Sequence, residues 1–223
     1  MTIRKRTGRL LLATTATTAA VVGLCATSAL ASTPLRATTL HVKISNGGKF
    51  TAKSISTILT DGSVKVTCSS KGSTPASSAT GNIPSGTKTG TSPVKVGTTT
   101  NLKFNNCTGP AGPVSTTVLS QPYAVKIDSK TNSKGQTDGI ISGIKVKVKT
   151  GPCTFMVTGS APGFYTNGKH SLTMTPKLPV KPTTKAQLTI SNVNTCLGAV
   201  HNGDHPTFKS VFTLSRKGTI KST

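Results

Sequence analysis

The chain has no glutamate and no tryptophan, and only four aspartates and two tyrosines among its 223 residues. Each shortage narrows the functions open to it. Glycosidase-type hydrolysis needs two carboxylates facing one sugar bond, and four aspartates leave little from which to build that pair. Reading nucleic acid by sequence needs arginine forks and aromatic platforms, and beyond residue 31 the only arginines are Arg36 and Arg216. We therefore expect no sequence-specific nucleic-acid partner. Amphipathic helix is lacking as well, because nowhere do apolar residues recur at three-and-four spacing for three turns. No G-x-S-x-G elbow is present. No apolar run after residue 31 approaches the roughly 20 residues of a membrane span, so no transmembrane segment is expected in the mature chain.

Residues 1–31 read as a secretory signal peptide. A basic head carrying Arg4, Lys5, Arg6 and Arg9 precedes the apolar run 10–24, and Ala29-Leu30-Ala31 forms a small-x-small cleavage site before Ser32. Thr14, Thr15, Thr17 and Thr18 dilute the run below what a retained anchor requires, and Cys25 follows Leu24 rather than the small residue a lipoprotein acceptor needs. The expected mature protein is residues 32–223, secreted or associated with the cell wall, in a compartment where cysteines pair.

Within it, threonine, serine, glycine and valine dominate, and short alternating runs recur at 40–44, 64–68, 102–104, 114–119, 124–127, 144–148, 155–157, 171–175, 188–190 and 208–214. About ten strands with glycine, proline and asparagine punctuation predict an all-β fold, an antiparallel sandwich or barrel-like sandwich. Residues 69–93 carry Ile83 as their one strongly apolar side chain and read as a long tethered loop, with at most an edge strand near Ile83. The three prolines of 176–182 predict an extended edge or linker.

Four cysteines remain after processing, Cys68, Cys107, Cys153 and Cys196, and four allow three connectivities. Spacing favours Cys68 with Cys107 and Cys153 with Cys196. The approaches to the second cysteines are alike, NLKFNNC at 101–107 and QLTISNVNTC at 187–196, and a Thr-Gly-x-x-Pro step follows each first cysteine, at 80–84 and 158–162. This suggests a tandem duplication of one disulfide-closed β unit, with halves at 32–130 and 131–223. Zinc is the rival use of four cysteines, but no two lie within four residues of each other.

The formal charge is +23, and loss of the leader leaves 23 basic against four acidic residues, a net +19. In the run 144–149 (IKVKVK), Lys145, Lys147 and Lys149 share one face of a strand about 7 Å apart while the aliphatic residues face the other way. Lys65 and Lys126 sit in similar runs, and these five are the candidate polyanion-binding residues. Lysine is a point charge suited to repetitive anions, so the expected partner is an anionic cell-wall polymer or polysaccharide. The alternative use of such lysines is to keep strands soluble and unpaired with other molecules.

The one cluster with chemical potential is HNGDH at 201–205, two imidazoles and a carboxylate that could hold a divalent cation. Asn-Gly-Asp is also ordinary turn chemistry, and the turn is the preferred reading. No catalytic residue, metal or cofactor is assigned.

Several segments together resemble a family of uncharacterised secreted β-rich proteins of filamentous actinobacteria of the Streptomyces type. They are LTDGSVKVTCS at 59–69, LKFNNCTGP at 102–110, GIISGI at 139–144, GFYTN at 163–167, NGD at 202–204, TF at 207–208 and FTLS at 212–215. The resemblance implies export, a β-rich fold and two disulfides, and brings no activity with it. The strand lysines, His201 and His205 depart from the family pattern, so the charge belongs to this member. The sequence thus reads as a secreted, non-catalytic binding or structural module at the cell envelope. The alternatives are a hydrolase built on inconspicuous Ser, His and Asp residues and a cationic membrane-active protein.

Overall fold

A computed structural model describes residues 38–180 and 185–223; the leader at 1–31 lies outside them. The described chain is all β, with fifteen strands: β1 (Thr39–Ser45), β2 (Gly48–Asp61), β3 (Val64–Ser69), β4 (Ser77–Ile83), β5 (Gly86–Thr91), β6 (Val94–Phe104), β7 (Cys107–Gly109), β8 (Gly112–Val118), β9 (Tyr123–Ile127), β10 (Gln136–Thr150), β11 (Cys153–Thr166), β12 (Ser171–Met174), β13 (Leu188–Asn194), β14 (Thr207–Leu214) and β15 (Thr219–Ser222).

Eight of them close a ring. Antiparallel pairings run β2–β4–β6–β9–β10–β11–β12–β14 and return to β2. Closure leaves the ring without a free edge for another chain to extend. Three long strands also branch, and on one edge of β11 residues 163–166 pair with β12 and residues 154–159 with β13. On one edge of β2, residues 48–54 pair with β4 and residues 56–61 with β3. On one edge of β10, residues 139–142 pair with β9 and residues 146–150 with β8. The strands β3, β7 and β8 join the branches on β2 and β10 as a second wall.

The branch on β10 is sealed by one side chain. Tyr123 is fully buried, and its hydroxyl donates to the carbonyls of Leu119 (2.7 Å) and Lys145 (3.0 Å), supplying hydrogen bonds where the ladder is interrupted. The branch on β2 carries a buried hydroxyl network. Thr57 Oγ1 lies 2.6 Å from Ser77 Oγ and 2.9 Å from Ser210 Oγ, and Ser210 donates to Ser54 at 2.8 Å.

The disulfides are Cys68–Cys107 and Cys153–Cys196, the pairing that spacing favours. The first Thr-Gly-x-x-Pro step begins on β4, the strand after the one that carries Cys68, whereas the second lies within β11, the strand that carries Cys153. Gly81 and Gly159 both stand where a Cβ would strike a neighbouring carbonyl, Thr98 O in one case and Gln187 O in the other.

Residues 69–93 are not a long loop. They contain β4, part of the ring wall, and β5, in a three-stranded sheet of order β15-β1-β5. The reason is on the inward face of β4: Ser77 and Ala79 are buried and Gly81 is covered by the Phe50 ring. Small side chains suffice there because Phe50 supplies the bulk. The proline segment carries no strand through Val180 and ends in the undescribed residues 181–184.

The three-stranded sheet turns Leu40, Val42, Ile44 and Ile220 onto Val94, Val96, Ile127 and Tyr165. The main core lies inside the ring and includes Val146, Val148, Phe155, Val157, Ile190 and Phe212. That interior is incompletely filled: a cavity of about 140 Å³ remains, lined almost wholly by apolar atoms.

Candidate functional site

The lysine ladder on β10 has the alternation the sequence predicts. Lys145, Lys147 and Lys149 are exposed, while Val146, Val148 and Thr150 are buried. Strand rise places successive lysines about 7 Å apart along one face. Pairing supplies their neighbours: Thr117 lies opposite Lys147 and Ser115 opposite Lys149 on β8, and on β11 Thr158 and Thr154 stand opposite Lys145 and Lys149 while Met156 stands opposite Lys147. The ladder is thus bordered by hydroxyls that can donate to an anion held by the ammonium groups.

No carboxylate competes on that face. Asp128 and Asp138 have no solvent exposure, and Asp61 and Asp204 lie at the end of β2 and in the turn after β13. Lys65 is exposed on β3, in the same wall but three strands from β10. Lys126 is different. It is half-buried on β9, beyond the irregularity at Gly143 in β10, and its direct cross-strand partner is Lys95 on β6. The five candidate lysines therefore form a ladder of three and two separate positions.

Pairing also reveals lysines that sequence reading left out. Lys43 on β1 stands opposite Lys221 on β15. Lys53 on β2 and Lys103 on β6 flank Ser78 of β4, which pairs with both. Each is visible in sequence as a lysine in an alternating run, but its neighbours become known only from the strand order.

The 201–205 segment is a turn. The backbone N–H of His201 donates to Asp204 Oδ2 at 2.7 Å, and Asp204 N–H returns a bond to the His201 carbonyl at 3.3 Å. His201 Nδ1 lies 3.5 Å from the same carboxylate on an exposed surface, whereas His205 Nδ1 meets the Leu188 carbonyl at 3.1 Å. The two imidazoles thus serve different partners. The N–H of His201 holds Asp204 below the usual carboxylate range, while burial and a hydrogen bond with Asp204 raise Asp61.

The least expected titratable group is Asp138. Burial pushes its carboxyl up to about 6, with the Asp128 charge adding to the effect and the Val180 N–H, 3.0 Å from Oδ2, opposing it. Its Oδ1 has no hydrogen-bond partner among the described residues. Asp128 accepts from the Ser92 hydroxyl at 2.6 Å. Neither aspartate nor any histidine lines the cavity. His170 Nδ1 meets the Tyr165 hydroxyl at 3.4 Å.

The fold and these surfaces define a disulfide-stapled, barrel-like antiparallel β protein with lysine-bearing outer walls. Compared with known proteins, the chain matches no family model, no curated sequence and no solved structure. Among the described residues no helix is long and apolar enough to cross a membrane.

Proposed function

We propose that the protein is exported and acts outside the cell as a non-catalytic binding module at the envelope, holding anionic polymers on its lysine-bearing strands. The wall phosphopolymers and acidic polysaccharides of an actinobacterial surface are the partners this reading favours. The observation that carries it is the ladder Lys145, Lys147 and Lys149: exposed, evenly spaced, bordered by Ser and Thr at four of its paired positions and free of carboxylates. The leader-like residues 1–31 and the two disulfides support an oxidising destination.

Binding of this kind releases counterions, so its logarithm falls linearly with the logarithm of salt. The test is co-sedimentation of the mature protein with purified cell walls, intact or stripped of phosphopolymer, from about 50 to 500 mM salt. Polymer-dependent binding is expected, and replacing the three ladder lysines with glutamine lowers the salt slope by about two to three. Failure to bind either wall at low salt would overturn the reading and leave the lysines as a solubility device.

A further inference from the structure

Beyond the outer surface, we propose that the interior of the ring is a binding site for a compact, uncharged, hydrocarbon-like molecule about the size of a substituted benzene. The space exists because Ala52, Ala79 and Ala161 occupy inward positions on β2, β4 and β11, and Ala52 pairs directly with Ala79. Its volume of about 140 Å³ is close to that of an engineered apolar cavity, about 150 Å³, that stays dry and takes up benzene or xenon.

The wall chemistry sets the ligand class. Water inside a protein needs roughly three hydrogen-bond partners, and most hydroxyls at this wall are already committed. Tyr123 donates to backbone carbonyls, Thr99 to the Thr80 carbonyl at 3.0 Å, and Thr57 belongs to the serine network. Lys126, half-buried on β9, is the one charged side chain of the lining, so a charged or strongly polar ligand would find few partners and would lose most of its hydration. An uncharged ring loses only its cage of water and gains contact with aliphatic and aromatic side chains. Phe50, Leu59, Phe104 and Phe208 line the space and are only partly buried, so apolar wall remains uncovered for a ligand to meet.

The experiment is a benzene titration of the oxidised protein followed by methyl NMR, with xenon as a second probe. Saturable shifts are expected at Val146, Val157, Ile141 and Leu172, all on the cavity wall. None is expected at Ile55, Leu197 or Val211, which are 80%, 95% and 54% exposed. Benzene at about five times its Kd raises the unfolding midpoint by about 2–4 °C. Benzoate, whose carboxylate would have only the Lys126 ammonium as a charged partner at the wall, binds there at least tenfold more weakly than benzene. Ala161→Leu weakens benzene binding at least tenfold, and Ala79→Leu serves as the filling variant if the first does not fold. The proposal is overturned by unsaturable shifts, by shifts of equal size at Ile55 and Leu197, by benzoate binding as tightly as benzene, or by a folded filling variant that binds as well as the parent.

Discussion

At the scale of single residues, charge burial sets a pH dependence opposite to that of most acidic groups. A carboxyl that titrates near 3.8 in the unfolded chain and near 6 in the folded one binds its proton more tightly when folded. Its contribution to stability is therefore complete below about pH 4 and is lost as pH rises through about 6. A shift of this size corresponds to as much as about 3 kcal/mol. Asp61 moves in the same direction and Asp204 in the other, so the clean readout is the difference between the parent and Asp138→Asn. Thermal unfolding at pH 4.5 and 7.5 should show the parent losing stability relative to the variant at the higher pH. An equal response in both proteins would mean that Asp138 titrates normally.

At the scale of the strand, the fold depends on close approaches that only glycine permits. A Cβ on Gly81 would meet the Phe50 ring and the Thr98 carbonyl, the latter at 2.6 Å, whereas one on Gly168 would meet nothing within 4 Å. Gly81→Ala should cost about 1–3 kcal/mol as an overpacked core, and Gly168→Ala less than about 0.5 kcal/mol. Urea midpoints check both, and similar values for the two would refute the argument. The same residues explain what could be read beforehand. Strands β1, β3, β8 and β14 announce themselves by an aliphatic or aromatic side chain at inward positions. In β2 the inward positions after Phe50 are Ala52, Ser54 and Thr57, and the irregular register between Ser210 and Phe212 on the partner strand leaves Ile55 facing solvent. Hydrophobic alternation therefore fails along one of the longest strands. β5 is exposed along most of its length and has no inward pattern to detect. The lysine ladder was legible because period two is local, whereas the Lys95–Lys126 pair and the buried aspartates depend on which strands become neighbours.

For the whole molecule, basic side chains are spread over the outer faces of both sheets, and several face one another directly. Like charges opposite each other across a ladder are destabilising, and a large net charge of one sign strains the compact state through self-repulsion. Salt screens that repulsion within about 10 Å at 0.1 M. Raising sodium chloride from 10 to 500 mM should therefore stabilise the protein by about 1 kcal/mol or more, which for a domain of this size raises the unfolding midpoint by about 2–4 °C. A flat or falling midpoint would show that the lysines are far enough apart to ignore one another. The salt response thus opposes the wall-binding response: the ions that weaken attachment to a polyanion strengthen the fold that attaches.

The pairing of β1 with β15 has a mechanical consequence. Val42 lies opposite Ser222 and Ser45 opposite Thr219, and His41 and Thr223 exchange backbone hydrogen bonds at 3.1 Å. A pull applied between Thr39 and Thr223 therefore loads these antiparallel strands from the end where both pulling points lie. Their hydrogen bonds would rupture one after another, as in a zipper, rather than all together in shear. Ile220, which packs in the three-stranded sheet and also lines the cavity, is drawn out as that zipper opens. Under tension the interior is uncovered while the closed ring, whose strands lie outside the line of force, still holds.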